Sequence, residues 1–274
     1  VTVRTARGLH TGIRRAARRF GPLVALCAVF LFGPLVVGGD PMMTDTAQVR
    51  AAPSWAHPFG TDAFGRDVWV RFWHGGARAV SRTLMTAGCA LICGLAWAVV
   101  VPVRGPARWL FDRAAAALLA IPGLMLALAS AAVLGHAREI AVFAAVAFAQ
   151  AVWLAAVLAE RGRWLEREPF MEAARALGAG ETWLMRRYRL PALLDAALTL
   201  FPAVLAAVLL QTAALYYLGI GGSPGLPDWG LMLYEGRQVY RDAPWVAAAP
   251  GLGIALLVAC ALRAGDARPS AGTV

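Results

Sequence analysis

Six stretches free of charge constrain this chain more than any other feature. Phe20–Gly39, Thr83–Val103, Ala114–Gly135, Ile140–Ala159, Ala196–Pro227 and Ala243–Leu262 contain no Asp, Glu, Lys, Arg or His. About 20 apolar residues carry an α-helix across the hydrocarbon core of a bilayer. The fifth stretch is longer than one crossing needs, and its tail Gly219–Gly225 reads as a loop leaving the bilayer. The spacing therefore predicts an all-α membrane protein with six transmembrane helices. Composition agrees: 59 % of residues are hydrophobic, 15 % are charged and mean hydropathy is +0.61, too few polar groups to cover a soluble domain of this size.

The remaining charges are unevenly placed. All 26 basic residues are arginine. Without lysine the chain has no phosphate-loop lysine with which to hold a nucleotide, and no lysine for a Schiff base, so nucleotide energy has to come from a partner. Threading six spans with the amino terminus inside puts 18 arginines against 8 acids on one side, and 8 against 8 on the other. That bias is the positive-inside pattern of a cytoplasmic face. It accounts for the net charge of +10 without a nucleic-acid partner, and the basic residues near the amino terminus read as a topology signal at the lipid surface. The first apolar run is full-length and reads as an uncleaved span. Cys27, Cys89, Cys93 and Cys260 all fall inside expected spans and read as packing residues, not as metal ligands or disulfides. His57, His74 and His136 are scattered and lack ligand spacing.

These signals divide the chain into a basic tail over residues 1–19, a first span over 20–39, an external segment over 40–82, a five-helix core over 83–262 and a short tail over 263–274. One block within the core breaks the apolar character: a cytoplasmic loop over 160–195 that contains "EAARALGAGETWLMRRYRLP". Pro169 suits a helix start. Phe170, Ala173, Ala174 and Leu177 give an apolar stripe at helical spacing. Gly178 falls where a helix end favours a left-handed residue. A second helix is expected from about Glu181, stopping at Pro191. The pattern predicts a short helix pair whose alanine face enters a partner's groove, with Arg and Glu at the rim.

The loop resembles the coupling-loop pattern of permease subunits of ATP-binding-cassette importers, carried by Glu172, Ala173, Ala174, Gly178, Tyr188, Leu190 and Pro191. Tyr188 stands where that family usually has Ile. A second patch, "HPFGTDAFGRDVWVRFWHGGARAVSRTL", is similar to the amino-terminal signature of the dipeptide/oligopeptide/nickel branch through Gly60, Thr61, Asp62, Gly65, Arg66, Asp67, Arg71, Gly76 and Arg78. "LAIPGLMLALA" and "PDWGLMLYEGRQVYRDAPWVAAAPGLGI" match further. The final tail is shorter than the family's, and "VWLAAVLAERGRW" replaces its usual element before the coupling helix.

The resemblance implies the type I importer permease fold, location in the bacterial inner membrane with both termini cytoplasmic, and a chain that is not an enzyme. It also implies the partners: a second permease subunit in a heterodimer, two ATPase subunits carrying ATP and Mg, and an extracytoplasmic solute-binding protein. The chain itself would bind no cofactor or metal. Expected cargo is di- or oligopeptide. A nickel or metal-chelate permease of the same branch, and a membrane scaffold that binds an ATPase without transporting, are the alternatives. An intramembrane serine protease is excluded, because no Gly-x-Ser-x-Gly elbow and no histidine within a span occurs. Glu172 reads as an ATPase contact or as a first-turn acid favoured by the helix dipole. The Gly60–Asp67 segment reads either as a rigid turn at the outer mouth or as a turn feeding an interfacial helix, with Asp67 and Arg71 as a surface pair. Gln150 and Gln211 are the candidate pathway-lining residues, with an interhelical hydrogen bond as the alternative.

Overall fold

The computed structural model describes residues 2–100, 106–121, 123–125, 128–129, 139–223 and 225–265. Among them the secondary structure is helical, and the only extended pairing is an isolated bridge between Thr61 and Asp67. The helices are α1 (Thr2–Val37), α2 (Val68–Val100), α3 (Pro106–Leu119), α4 (Glu139–Glu166), α5 (Pro169–Ala176), α6 (Glu181–Leu184), α7 (Leu190–Tyr217), α8 (Trp229–Arg237) and α9 (Trp245–Gly265). Among the described residues, five helical stretches are long and apolar enough to cross a membrane: Arg19–Val37 of α1, α2, α4, Glu181–Tyr217 and α9. The third expected span, Ala114–Gly135, is described only in part: α3 reaches into it as far as Leu119, and its last six residues, 130–135, lie outside the described residues, as does His136. Large apolar side chains such as Phe32, Ile92, Phe148, Leu198 and Leu252 stand exposed on these helices. Water would penalise that arrangement, and lipid does not.

The chain divides into two compact units, Val1–Arg82 with Leu205–Val274, and Thr83–Val204. In the first, α1 ends at Gly38, whose N–H donates to Pro34 O at 2.9 Å. Arg19 donates to Ala264 O at 2.6 Å and Gly265 O at 3.1 Å, a cation capping the carbonyl end of α9 as the helix dipole favours. Trp229 is fully buried at the start of α8. Its ring stacks on Phe72 and meets Phe30 edge-on at 4.7 Å, and its Nε1–H donates to Phe72 O at 3.0 Å. A Cβ on Gly76 or Gly253 would come within 2.7 Å of that indole, so only glycine lets the helices close around it. Asp228 caps α8 by accepting from Gly230 N at 3.0 Å and pairs with Arg82 at 3.1 Å.

α2 begins at Val68, within the segment expected to be external, well before the apolar window opens at Thr83. The start is fixed by a cap: Asp67 Oδ1 accepts from Trp69 N at 2.7 Å. The charge that hid this helix is neutralised locally, because Arg71 is buried on acids rather than presented to solvent.

The second unit packs α2, α4 and the first half of α7 around Ala98, Leu154, Leu158, Leu193 and Ala197. α3 joins α4 through Asp112, which pairs with Arg163 at 2.7 Å and with Arg108 at 2.9 Å. The expected stop at Pro191 does not occur. α6 passes through a π-helical turn over Met185–Arg189 directly into α7. The N–H of Leu190 skips one carbonyl to reach Met185 O. A proline clashes with the carbonyl four residues back and brings no N–H, and the wider π turn accommodates it without breaking the rod.

Candidate functional site

The loop between α4 and α7 folds into the expected short helix pair, with a different distribution of charge. Pro169 opens α5. At its end Gly178 adopts φ +87°, Gly178 N donates to Arg175 O at 2.9 Å and Ala179 N to Ala174 O at 3.0 Å. This pair of hydrogen bonds is the left-handed helix cap that glycine supplies without a Cβ penalty. Met171 and Leu184 are fully buried and seat the two short helices on the rest of the unit.

The apolar stripe faces outward. Phe170, Ala173, Ala174 and Leu177 form one wall of an open groove of about 600 Å³, with Trp183 and Tyr188 opposite. Leu177 is 89 % exposed, Trp183 50 % and Phe170 43 %. The Tyr188 ring lies 5.2 Å from that of Phe170 and 5.6 Å from that of Trp183, so the residue that departs from the family pattern joins the two sides of the groove. Glu172 is exposed on α5. Arg186 and Arg187 are exposed too and line a shallow depression with Thr182 and Trp183. Leu190 is half-buried and Pro191 exposed.

The rim of Arg and Glu expected around this face is only partly there. Arg175 turns inward, with Nε donating to Glu181 Oε1 at 2.9 Å and Nη2 donating to Glu166. These bonds, Glu181 first and Glu166 next, push the Arg175 guanidinium above its ordinary pKa. Arg189 is buried, its Nε 3.7 Å from Glu166 Oε1. Of the charges in the block, Glu172, Glu181, Arg186 and Arg187 are exposed, Glu181 while paired with Arg175, and Arg175 and Arg189 serve the fold. Glu166 went unnoticed in the sequence because it sits among the charges that follow the apolar run ending at Ala159, between Glu160 and Glu168. Its register gave a signal: it continues the buried face of Leu158, Gly162 and Leu165.

The Gly60–Asp67 segment is an interior knot. Asp62 Oδ1 accepts from Phe64 N and Arg66 N at 2.8 and 3.0 Å, and its Oδ2 takes Arg66 Nε at 2.6 Å. Arg66 and Arg71 both reach Glu235 on α8, at 2.9 and 2.8 Å. Arg71 is 1 % exposed, so the expected Asp67–Arg71 surface pair is replaced. Asp67 caps α2 and lies 2.9 Å from His57 Nδ1, while Arg71 serves Asp62 and Glu235. Thr61 is fully buried, its carbonyl accepting from Trp245 Nε1 at 3.1 Å. Gly65 holds φ +72°, and a Cβ there would meet Asp45 O. Glu235 was missed because it lies 169 residues from Arg66. Gln150 is buried on α4, and Gln211 on α7 has a buried Oε1 that accepts no hydrogen bond among the described residues. Among the described residues no group of His, Cys, Asp or Glu is placed to hold a metal ion.

Comparison with known proteins places these features in a family. Residues 90–267 match the family described as binding-protein-dependent transport system inner membrane component. The chain is 29 % identical over 239 residues to the dipeptide transport system permease protein of Alkalihalophilus pseudofirmus, covering 86 % of this chain and 78 % of the relative. It is 30 % identical over 257 residues to a putative peptide transport system permease protein of Brucella suis, covering 93 % and 85 %. A glutathione transport system permease protein of Escherichia coli is 32 % identical over 241 residues, covering 81 % and 73 %.

Proposed function

The chain belongs to the family of binding-protein-dependent transport system inner membrane components, and we propose that it forms half of the translocation pathway of an ATP-driven peptide importer. The observation that carries this reading is the open apolar groove between α5 and the α6 turn, with Glu172, Arg186 and Arg187 beside it. A soluble face that exposes Phe170, Leu177 and Trp183 together is built for a protein contact. Buried aromatic and apolar anchors supply most of the energy of such contacts. The partner that fits is an ATPase subunit. ATP and Mg belong to that partner, and this chain makes and breaks no bond.

The pathway would be completed by a second, non-identical permease subunit, with two ATPase subunits on the cytoplasmic face and a solute-binding protein delivering cargo outside. Closure of the ATPases would move the helix pair, and rocking of the two permeases would alternate access, a two-state change driven by differential binding. Peptide cargo follows from the relatives, which are named for dipeptide, peptide and glutathione transport. No observation favours a metal chelate. Both termini are assigned to the cytoplasm by the arginine bias.

The test is uptake of a labelled dipeptide by vesicles holding the assembled complex, with Gly178→Ile and Glu172→Arg as variants. The first places a β-branched residue at φ +87°, and the second reverses the exposed charge beside the groove. Cargo-stimulated ATP hydrolysis and uptake are expected to fall about tenfold or more, a loss of roughly 1.4 kcal/mol or more in the docking contact, while membrane insertion persists. Undiminished coupling in both variants would sink the assignment.

A further inference from the structure

We propose that Glu166 is the positioning residue through which the α5–α6 pair moves the two span helices on either side of it, α4 and α7. The inference rests on the docking role argued above. Glu166 ends α4 and is 5 % exposed. An acid is unfavourable there, at the negative end of the helix dipole, and burial adds a desolvation cost. Two arginines offset both. One carboxylate oxygen, Oε2, accepts from Arg175 on α5, which also holds Glu181 at the start of α6. The other, Oε1, faces Nε of Arg189, the last residue of the π turn that leads into α7. A single side chain therefore connects the helix that precedes the docking pair, the pair itself and the helix that follows it.

The chemistry makes this cluster a mechanical link more than a source of stability. Buried ion pairs gain little net free energy over apolar packing, yet losing one partner leaves an uncompensated charge and is strongly unfavourable. When the docked ATPase displaces α5, Arg175 cannot leave Glu166 behind, and α4 follows. Arg189 carries the same displacement into α7. The link also has room for a second arrangement. Glu166 Oε1 and Arg189 Nε are both buried without a hydrogen-bond partner among the described residues, 3.7 Å apart. Closing that gap to a hydrogen bond of about 2.9 Å takes a shift of less than about 1 Å. Glu166 thus holds one cation in each state and exchanges the geometry of the other.

The experiment reads cargo moved per ATP hydrolysed in the assembled complex, normalised to the amount of ATPase that co-purifies. A residue needed only for folding would lower the amount of complex and leave this ratio intact. Glu166→Gln is expected to keep ATPase association and basal hydrolysis while the ratio drops about tenfold, and Glu166→Asp, which restores the charge, is expected to recover most of it. If Glu166→Gln does not accumulate in the membrane, Arg175→Gln is read in its place with the same expectation, since that side chain is 26 % exposed. A native ratio in whichever of the two assembles overturns the inference. The native complex separates this result from the functional reading: native vesicles that import no peptide count against the proposed function, whereas native vesicles that couple alongside a fully coupled variant count against Glu166 alone.

Discussion

Gly65 and Gly178 both hold φ in the left-handed region, at +72° and +87°, but a methyl group would meet opposite surroundings. At Gly65 the new Cβ would collide with the carbonyl of Asp45, whereas at Gly178 nothing lies within 4 Å. Gly65→Ala therefore carries backbone strain of about 1–3 kcal/mol and a comparable overpacking cost. Gly178→Ala carries the strain alone. Thermal unfolding of the detergent-extracted protein is expected to show a midpoint lowered by at least about 5 °C for Gly65→Ala and a clearly smaller shift for Gly178→Ala. Equal shifts would mean that the Asp45 contact does not constrain the loop. The two glycines also mark what a sequence can reveal at this scale. Gly178 was legible because its partners are the carbonyls of its own helix. Gly65 was noticed only through a family pattern, since its reason, the Asp45 carbonyl, lies in a turn that no local periodicity connects to it.

Among the elements, the long rod of α6, π turn and α7 departs furthest from expectation. Proline was read as a terminator, and in an isolated helix it would be one. Here the π turn over Met185–Arg189 lies directly before Pro191, with Leu190 N–H reaching Met185 O, and the short helix pair runs on into a membrane span without a joint. Continuity of this kind transmits rotation. Pro191→Ala restores an N–H and lets the turn relax toward ordinary α-helix, which would change the facing of Trp183 relative to α7 by up to one residue step, about 100°. The expected outcome is an unchanged or higher unfolding midpoint together with a several-fold fall in cargo moved per ATP. A variant that keeps the native ratio would show that the π turn is only a way to tolerate proline. Five of the six expected spans were legible from their apolar runs, because lipid imposes a single requirement on every residue of a crossing. The first turns of α2 were legible only as one of two readings, an interfacial helix separate from the span, because Arg71 and Arg78 look like surface charges until Asp62 and Glu235 are seen across from Arg71.

For the molecule as a whole, charge sets orientation. A chain with no lysine places 18 arginines against 8 acids in the segments assigned to one side of six spans, and 8 against 8 in the others. Each arginine near an anionic leaflet is worth about 1 kcal/mol, so the summed bias is large compared with the cost of any single misplaced loop. On this basis we propose that the α5–α6 pair faces the cytoplasm, where ATPases are, and the segment around Ala52 the outside, where a binding protein would deliver cargo. The assignment can be read with an impermeant maleimide in a background where Cys27, Cys89, Cys93 and Cys260 are replaced by alanine. Ala52→Cys and Leu177→Cys supply the probes, both at exposed positions. In intact spheroplasts Ala52→Cys is expected to label and Leu177→Cys to stay silent until the membrane is permeabilised. The reverse pattern would place the apolar groove where no ATP is available and would remove the basis for an ATPase partner, however well the groove is shaped. Labelling of both sites in intact cells would contradict the six-span threading.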